Sequence, residues 1–190
     1  NSIYEVPINF LNEGLDKRVL EYFRLESKKE IDLKMWSQVS KRILEPEGSI
    51  EIGIVGKYTG LADAYKSLNE ALSHGGIFNN VKVKLNWIES EELNSSNIEN
   101  MLNNCHGILV PGGFGERGSE GKINAIKYAR LNNIPFFGIC FGMQMAVIEF
   151  ARNVLKMKDA SSSEFGSTKQ PLIGLLTEWH SKTGLEIRDN

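Results

Sequence analysis

The chain has 190 residues, of which 41% are hydrophobic and 24% charged, and its formal net charge is −2. This length suffices for a substantial buried core, and the near-neutral charge gives no support for nucleic acid or an anionic membrane as a partner. The sequence shows neither an apolar run of about 18 residues, which a membrane span needs, nor a signal peptide. Two cysteines are too few for a disulfide framework, so we expect a reducing cytoplasm.

Residues 1–48 are polar and charged, and their apolar residues recur at spacings of three and four. This pattern predicts two amphipathic helices, one over Leu15–Phe23 and one over Ile31–Ile43. Pro7 is predicted to lie in an extended lead-in. A change of pattern near residues 46–49 predicts a boundary there, with the preceding residues forming a linker or packing arm.

From residue 50 onward, short apolar runs alternate with helical patterns. The alternation occurs four times with short connections, which predicts an α/β fold with an open, mostly parallel sheet and helices on both faces. Ligands of such sheets bind beyond the carboxyl ends of the strands. The predicted strands are 50–55, 81–88, 107–110 and 134–139; the predicted helices are 63–73, ended by Gly75-Gly76, then one from Ser95 or Ser96 to 104, 119–131 and 141–154.

A nucleophile on a tight strand-to-helix turn is predicted at Cys140. In Gly138-Ile139-Cys140-Phe141-Gly142, glycine stands two residues before and two residues after the cysteine, as in a nucleophile elbow. The N-terminal dipole and unpaired N–H groups of the following helix favour the reactive thiolate. An inert buried cysteine is the alternative, but the two glycines and the strand–helix context favour the nucleophile.

The loop Pro111-Gly112-Gly113-Phe114-Gly115, called the glycine loop below, directly follows the third predicted strand. Its glycines free backbone N–H groups to converge on an anion. A surface turn and a phosphate-binding loop are alternatives, but the sequence has neither the Walker ending nor the Gly-x-Gly-x-x-Gly spacing. An oxyanion hole for attack by Cys140 fits better, because loops after neighbouring strands open onto one crevice.

Both motifs resemble those of class I, triad-type glutamine amidotransferases. Further stretches are similar to the glutaminase domains of the CTP synthase family, and the resemblance covers nearly the whole chain. It implies a flavodoxin-like core, a linker over 1–48 that leads out of a synthetase domain, and an amidotransferase domain over 49–190, incomplete at its C-terminus. The similar stretches are Gly-Lys-Tyr at 56–58, Asp-Ala-Tyr-Lys-Ser at 63–67, residues 112–122, Gly-Ile-Cys-Phe-Gly-Met-Gln at 138–144 and Ser-Ser-Glu-Phe at 162–165.

The resemblance also implies roles for individual residues. The N–H groups of Gly113 and Phe141 would form the oxyanion hole, and Glu164 would hold the α-amino group of glutamine. Arg117 lies in a loop that the family uses in its response to GTP. For Glu164 and Arg117, a solvated loop charge is the alternative. The implied glutamine-binding residues are Gly113, Phe141, Gly142, Met143, Gln144 and Glu164.

A cysteine nucleophile of this class requires a base, usually a histidine oriented by a carboxylate. The family supplies these groups in a His-Pro-Glu segment, which none of the three histidines here matches. His74 is predicted to cap the C-terminus of a helix, His106 to precede a strand, and His180 to lie in a hairpin. The base, its carboxylate partner and the arginine that grips the substrate carboxylate are therefore expected beyond Asn190.

The resemblance implies that Cys140 releases ammonia from glutamine, and that the parent enzyme uses this ammonia to convert ATP-activated UTP to CTP. Glutamine hydrolysis would need no cofactor or metal, whereas ATP and Mg²⁺ would belong to the synthetase domain, with GTP as an effector. The full-length enzyme is expected to be a homotetramer. Two alternatives remain: another cysteine-elbow hydrolase or peptidase of similar fold, and a non-catalytic binding or assembly module, which the missing histidine and glutamate favour.

Overall fold

The computed structural model describes residues 2–27, 29–60, 62–176, 178–182 and 184–187. The chain divides into two compact units, Asn1–Ile50 with Ala62–Lys84 and Glu51–Leu61 with Leu85–Asn190. The boundary predicted near residue 48 concerns domains of a longer protein and stays a prediction. No helix among the described residues is long and apolar enough to cross a membrane.

Apart from the first residues of two strands described below, the first unit is helical. Its elements are a 3₁₀ turn Ile3–Glu5, α1 Val6–Asn12, α2 Leu15–Phe23, α3 Lys34–Leu44, a 3₁₀ turn Ala62–Tyr65 and α4 Lys66–Phe78. The two predicted amphipathic helices are present as α2 and α3. The extended conformation predicted for Pro7 is wrong, because Pro7 lies in the first turn of α1. A proline is tolerated there, since the N–H groups of a first turn lack helical partners in any case.

The predicted end of α4 at Gly75-Gly76 is also wrong, because the helix continues to Phe78. A Cβ at Gly76 would lie 2.7 Å from Val81 O, so glycine here allows close approach to the following strand. His74 consequently lies within the helix and does not cap its end. Its Nε2 is 2.6 Å from the hydroxyl of Tyr4.

The central sheet contains β1 Gly48–Gly56, β2 Val81–Glu89, β3 Gly107–Val110 and β4 Phe136–Gly138, in the order β2-β1-β3-β4. Strand β3 pairs in parallel with β1 and with β4, and Val110 lies opposite Gly138. The predicted α/β fold with a mostly parallel sheet is confirmed. This order matches the flavodoxin-like arrangement, in which ligands bind beside the carboxyl ends of the central strands.

Among the described residues of the second unit, three helices accompany the sheet: α5 Ile98–Leu102, α6 Ser119–Leu131 and α7 Phe141–Asn153. Helix α5 is shorter than predicted and is preceded by Asn97, not by Ser95 or Ser96. Buried residues of the strands, α6 and α7 form one apolar cluster, which includes Val110, Ile126 and Ile148. Arg130 of α6 donates to the buried carboxylate of Glu149 on α7 at 2.7 Å, which ties the two helices together.

The second unit ends in two small sheets. Strands β5 Ala160–Ser162 and β6 Gln170–Ile173 are parallel, with a 3₁₀ turn Ser163–Phe165 between them. Strands β7 Glu178–Ser181 and β8 Gly184–Ile187 form an antiparallel hairpin, which confirms the hairpin predicted around His180. The side chain of His180 lies outside the described part of the chain.

Candidate active site

Cys140 occupies a strained turn between β4 and α7. Its φ of 50° and ψ of −105° are unusual for a residue with a side chain. It is the N-cap residue of α7, and its carbonyl oxygen accepts the N–H of Gln144 at 3.1 Å. The thiol is free and exposed. An exposed thiol on a strained turn at a helix N-terminus has the geometry expected of a nucleophile elbow.

The glycines on either side of Cys140 are required by close backbone contacts. A Cβ at Gly138 would lie 2.6 Å from the carbonyl carbon of Gly142, and a Cβ at Gly142 would lie 2.1 Å from Val110 O. Distances this short are impossible for a carbon atom against backbone. Gly138 is therefore required for β4 to pass close to the start of α7, and Gly142 for the start of α7 to pack against β3.

The glycine loop lies next to this turn. A Cβ at Gly112 would be 3.7 Å from Cys140 Cβ, and Gly115 adopts a φ of 79°, which favours glycine. Lys57, which directly follows β1, donates from Nζ to Phe114 O at 2.8 Å and to Gly115 O at 3.4 Å. The loops after β1 and β3 thus meet, as expected for strands whose carboxyl ends share one edge of the sheet.

Glu164 also reaches the glycine loop. Its carboxylate Oε1 accepts the N–H of Gly115 at 2.6 Å. Two contacts fix the segment that holds it: the hydroxyl of Ser162 accepts the N–H of Glu164 at 3.2 Å, and Phe165 packs edge-on against Phe141 with ring centroids 6.0 Å apart. The structure therefore brings together Cys140, the glycine loop and Glu164, which are far apart in the sequence.

The remaining predicted glutamine-binding residues begin α7. The side chain of Phe141 is buried, so the backbone N–H is the part of this residue suited to an oxyanion. Among the described residues, none accepts a hydrogen bond from that N–H, whereas the N–H of Gly142 donates to Ile139 O at 2.9 Å. The side chain of Met143 is exposed and that of Gln144 is half-buried.

Lys122 is a charged residue of the site that the sequence analysis missed. It is 1% exposed, and its Nζ lies 4.9 Å from the ring centroid of Phe141. The same atom would be 3.9 Å from a Cβ at Gly113. Burial lowers the pKa of Lys122 to about 8, and the charge of Lys57 acts in the same direction. Its neighbours Gly121 and Ile123 on α6 are also buried, but nothing in the sequence marks this position as buried.

We expect Lys122→Met to stabilise the fold near pH 7 and to lose this advantage in alkali. Because the pKa is lowered on folding from 10.5 to about 8, the unfolded chain binds more protons between these values, and wild-type stability rises with pH in this window. Below pH 8 the full cost of burying the charge remains, roughly 3 kcal/mol for a shift of this size. Urea unfolding from pH 7 to 10 measures the difference.

The control for this experiment is Lys127→Met, because Lys127 is exposed on the same helix. We expect its free energy of unfolding to follow the wild type at each pH. If Lys122→Met differed from the wild type by the same amount across the whole range, burial of a charged Lys122 would be disproved.

Arg117 and two histidines are held by contacts of their own. Arg117 Nε lies 3.0 Å from Glu91 Oε1, and its guanidinium carbon is 5.0 Å from the ring centroid of Tyr58. His106 Nδ1 accepts the N–H of Glu51 at 3.1 Å. Together with the contact of His74 to Tyr4, this gives both described histidine side chains partners other than Cys140.

The chain is an α/β protein whose turn at Cys140, at the edge of a mostly parallel sheet, has the geometry of a nucleophile elbow. Residues 60–175 match the model of the class I glutamine amidotransferases, and the chain belongs to that family.

The relatives of the chain are much longer than the chain itself. It is 59% identical over 187 residues to a CTP synthase of Sinorhizobium medicae, covering 98% of this chain and 34% of the relative. It is 57% identical over 190 residues to a CTP synthase of Rhodopseudomonas palustris, covering 100% and 35% respectively. The chain thus spans about a third of the length of the curated relatives it matches.

A solved structure is also similar. The glutaminase domain of a Trypanosoma brucei CTPS, with bound acivicin, superimposes with a TM-score of 0.64 and 39% sequence identity. The match covers 72% of this chain and 54% of that one.

Proposed function

We propose that this chain is the glutaminase part of a CTP synthase. The observation that supports this function most directly is the position of exposed Cys140, on a strained turn beside the glycine loop to which Glu164 is bonded. Membership of the amidotransferase family and the 59% identity to a CTP synthase agree with it. The peptidase and assembly-module alternatives have no comparable support.

In the proposed reaction, the thiolate of Cys140 attacks the carboxamide carbon of glutamine. The carbonyl oxygen becomes an oxyanion, which the N–H groups of Gly113 and Phe141 stabilise. Collapse of this intermediate, with a proton delivered to the nitrogen, releases ammonia and leaves a γ-glutamyl thioester. Water then hydrolyses the thioester to glutamate and regenerates the thiol. Glu164 holds the α-ammonium group of the substrate, while Gly142, Met143 and Gln144 line the site.

The proton acceptor of this reaction is expected outside the described site. His74 and His106 bond to Tyr4 and Glu51, so neither is placed to serve Cys140. We infer that a histidine oriented by a carboxylate supplies the base, in keeping with the general requirement of a cysteine nucleophile. Glutamine hydrolysis itself then needs neither a metal nor an organic cofactor.

The parent protein would use the ammonia in a synthetase domain, where UTP activated by ATP with Mg²⁺ becomes CTP. This part of the proposal depends on the CTP synthase relatives, of which the chain covers about a third. We further propose a cytoplasmic homotetramer whose activity responds to GTP through the loop of Arg117. The stacking of Arg117 on Tyr58 and the 82% exposure of Phe114 in the preceding glycine loop are compatible with a purine-binding surface.

A γ-glutamyl affinity reagent tests the proposed function. We expect one adduct per chain of the full-length protein, located on Cys140 and not on Cys105, and slowed by added glutamine. Peptide mass spectrometry locates the adduct, and an ammonia assay with glutamine follows turnover. Labelling that glutamine fails to slow, together with no release of ammonia, would favour the peptidase or assembly-module alternative.

A further inference from the structure

The peptide unit between Phe114 and Gly115 is held at both ends by charged side chains. Its carbonyl oxygen accepts a hydrogen bond from Lys57 Nζ at 2.8 Å. Its N–H donates to Glu164 Oε1 at 2.6 Å. Because a peptide unit is planar, these two bonds together fix the orientation of the peptide that directly follows Phe114.

This restraint matters because the glycine loop has little else to hold it. Glycine has the widest backbone freedom of any residue, and this loop contains three glycines in five positions. The side chain of Phe114 is 82% exposed, so core packing does not anchor it. The Gly113 N–H belongs to the peptide unit two before Phe114–Gly115, so the polar contacts of Phe114–Gly115 restrain its orientation through two intervening residues.

We propose that Lys57 is a positioning residue, which orients the Gly113 N–H of the oxyanion hole by holding the Phe114–Gly115 peptide against Glu164. The inference rests on the proposed function. Lys57 bonds to the loop and acts on the reaction through it. A carboxylate has two oxygens, so Glu164 can keep the Gly115 N–H on Oε1 while Oε2 takes up an ammonium group. Recognition of the α-amino group and geometry of the oxyanion hole are then coupled through one peptide.

Kinetics of glutamine hydrolysis by the full-length protein test this role. We expect Lys57→Met to lower kcat about tenfold, less than the roughly 10²–10³-fold loss typical when an oxyanion donor is removed outright. KM should stay within about twofold, because an interaction made only in the transition state changes kcat alone. Lys57→Arg, which can still donate to Phe114 O, should recover most of the lost kcat. The matched control is Lys127→Met, which removes an exposed lysine elsewhere in the same unit.

Two further measurements separate positioning from general damage. Hydrogen exchange should become faster in the segment 111–118 of Lys57→Met and stay unchanged in α7. The rate at which iodoacetamide alkylates Cys140 should also stay unchanged, since this reaction forms no oxyanion.

The inference is overturned if Lys57→Met keeps the wild-type kcat, if only KM changes, or if Lys57→Arg is as impaired as Lys57→Met. Equal losses of kcat and of Cys140 alkylation would also overturn it, because they indicate damage to the whole site. If the wild-type protein releases no ammonia from glutamine, the proposed function is wrong, and so is this inference. If Lys57→Met is fully active, only the inference is wrong and the proposed function stands.

Discussion

Replacing Cys140 by alanine in the full-length protein should reduce glutamine-dependent CTP formation by roughly 10⁴-fold or more, the scale of loss seen when a nucleophile is removed. Without the thiol no thioester forms, and the N–H groups of the oxyanion hole have no attacked carbonyl to stabilise. Synthesis supplied with free ammonia should stay near the wild-type rate, because it bypasses the glutaminase. Parallel assays with glutamine and with ammonium chloride measure both rates.

Cys105→Ala is the matched control for this experiment. Cys105 is 6% exposed, and burial raises the pKa of its thiol, which disfavours the nucleophilic thiolate. We expect this variant to hydrolyse glutamine at close to the wild-type rate. Glutamine-dependent synthesis that survives in Cys140→Ala, or that disappears in Cys105→Ala alone, would show that the nucleophile has been assigned wrongly.

The sequence predicted the elements of the second unit well where a local cue marks each end. Strand β3 is bounded by Gly107 and Pro111, and α6 begins directly after Gly118, whose φ of 72° glycine adopts readily. The predictions failed where a contact distant in sequence outweighs the local preference. Gly76 was interpreted as a helix stop, yet its lack of a side chain serves the contact with Val81.

The candidate site shows the same distinction. The elbow at Cys140 and the glycine loop are contiguous motifs, so their spacing alone indicated them. In the sequence, Lys57 belongs to the stretch Gly-Lys-Tyr at 56–58 but has no sign of its contact with Phe114, because that contact joins residues 57 positions apart. Lys122 has no local pattern that separates a buried lysine from a solvated one. The sequence therefore indicates the proposed nucleophile, but it does not indicate the charged side chains that surround the glycine loop.

Gly142→Ala should destabilise the second unit by roughly 3 kcal/mol, the upper end of what overpacking typically costs. The added Cβ would lie 2.1 Å from Val110 O and 2.9 Å from the Val110 carbonyl carbon. Both atoms belong to β3, which is paired on each side in the sheet, so they cannot move away without disturbing that pairing. The N-terminus of α7 must move instead, and with it Cys140. The urea concentration at the midpoint of unfolding and the rate of glutamine hydrolysis should therefore both decrease.

Gly75→Ala is the control variant. It shows whether the loss of stability comes from the contact with Val110 or from the replacement of a helical glycine. Gly75 also lies in a helix, but a Cβ there would meet no atom within 4 Å. Alanine is the better helix former by up to about 1 kcal/mol, so this variant should be as stable as the wild type or more so. If both variants were destabilised to the same degree, the cause would be the loss of glycine flexibility within a helix, not the contact with Val110. A stable Gly142→Ala protein would mean that α7 does not need its close approach to β3, and the requirement for glycine after the nucleophile would lose its physical basis.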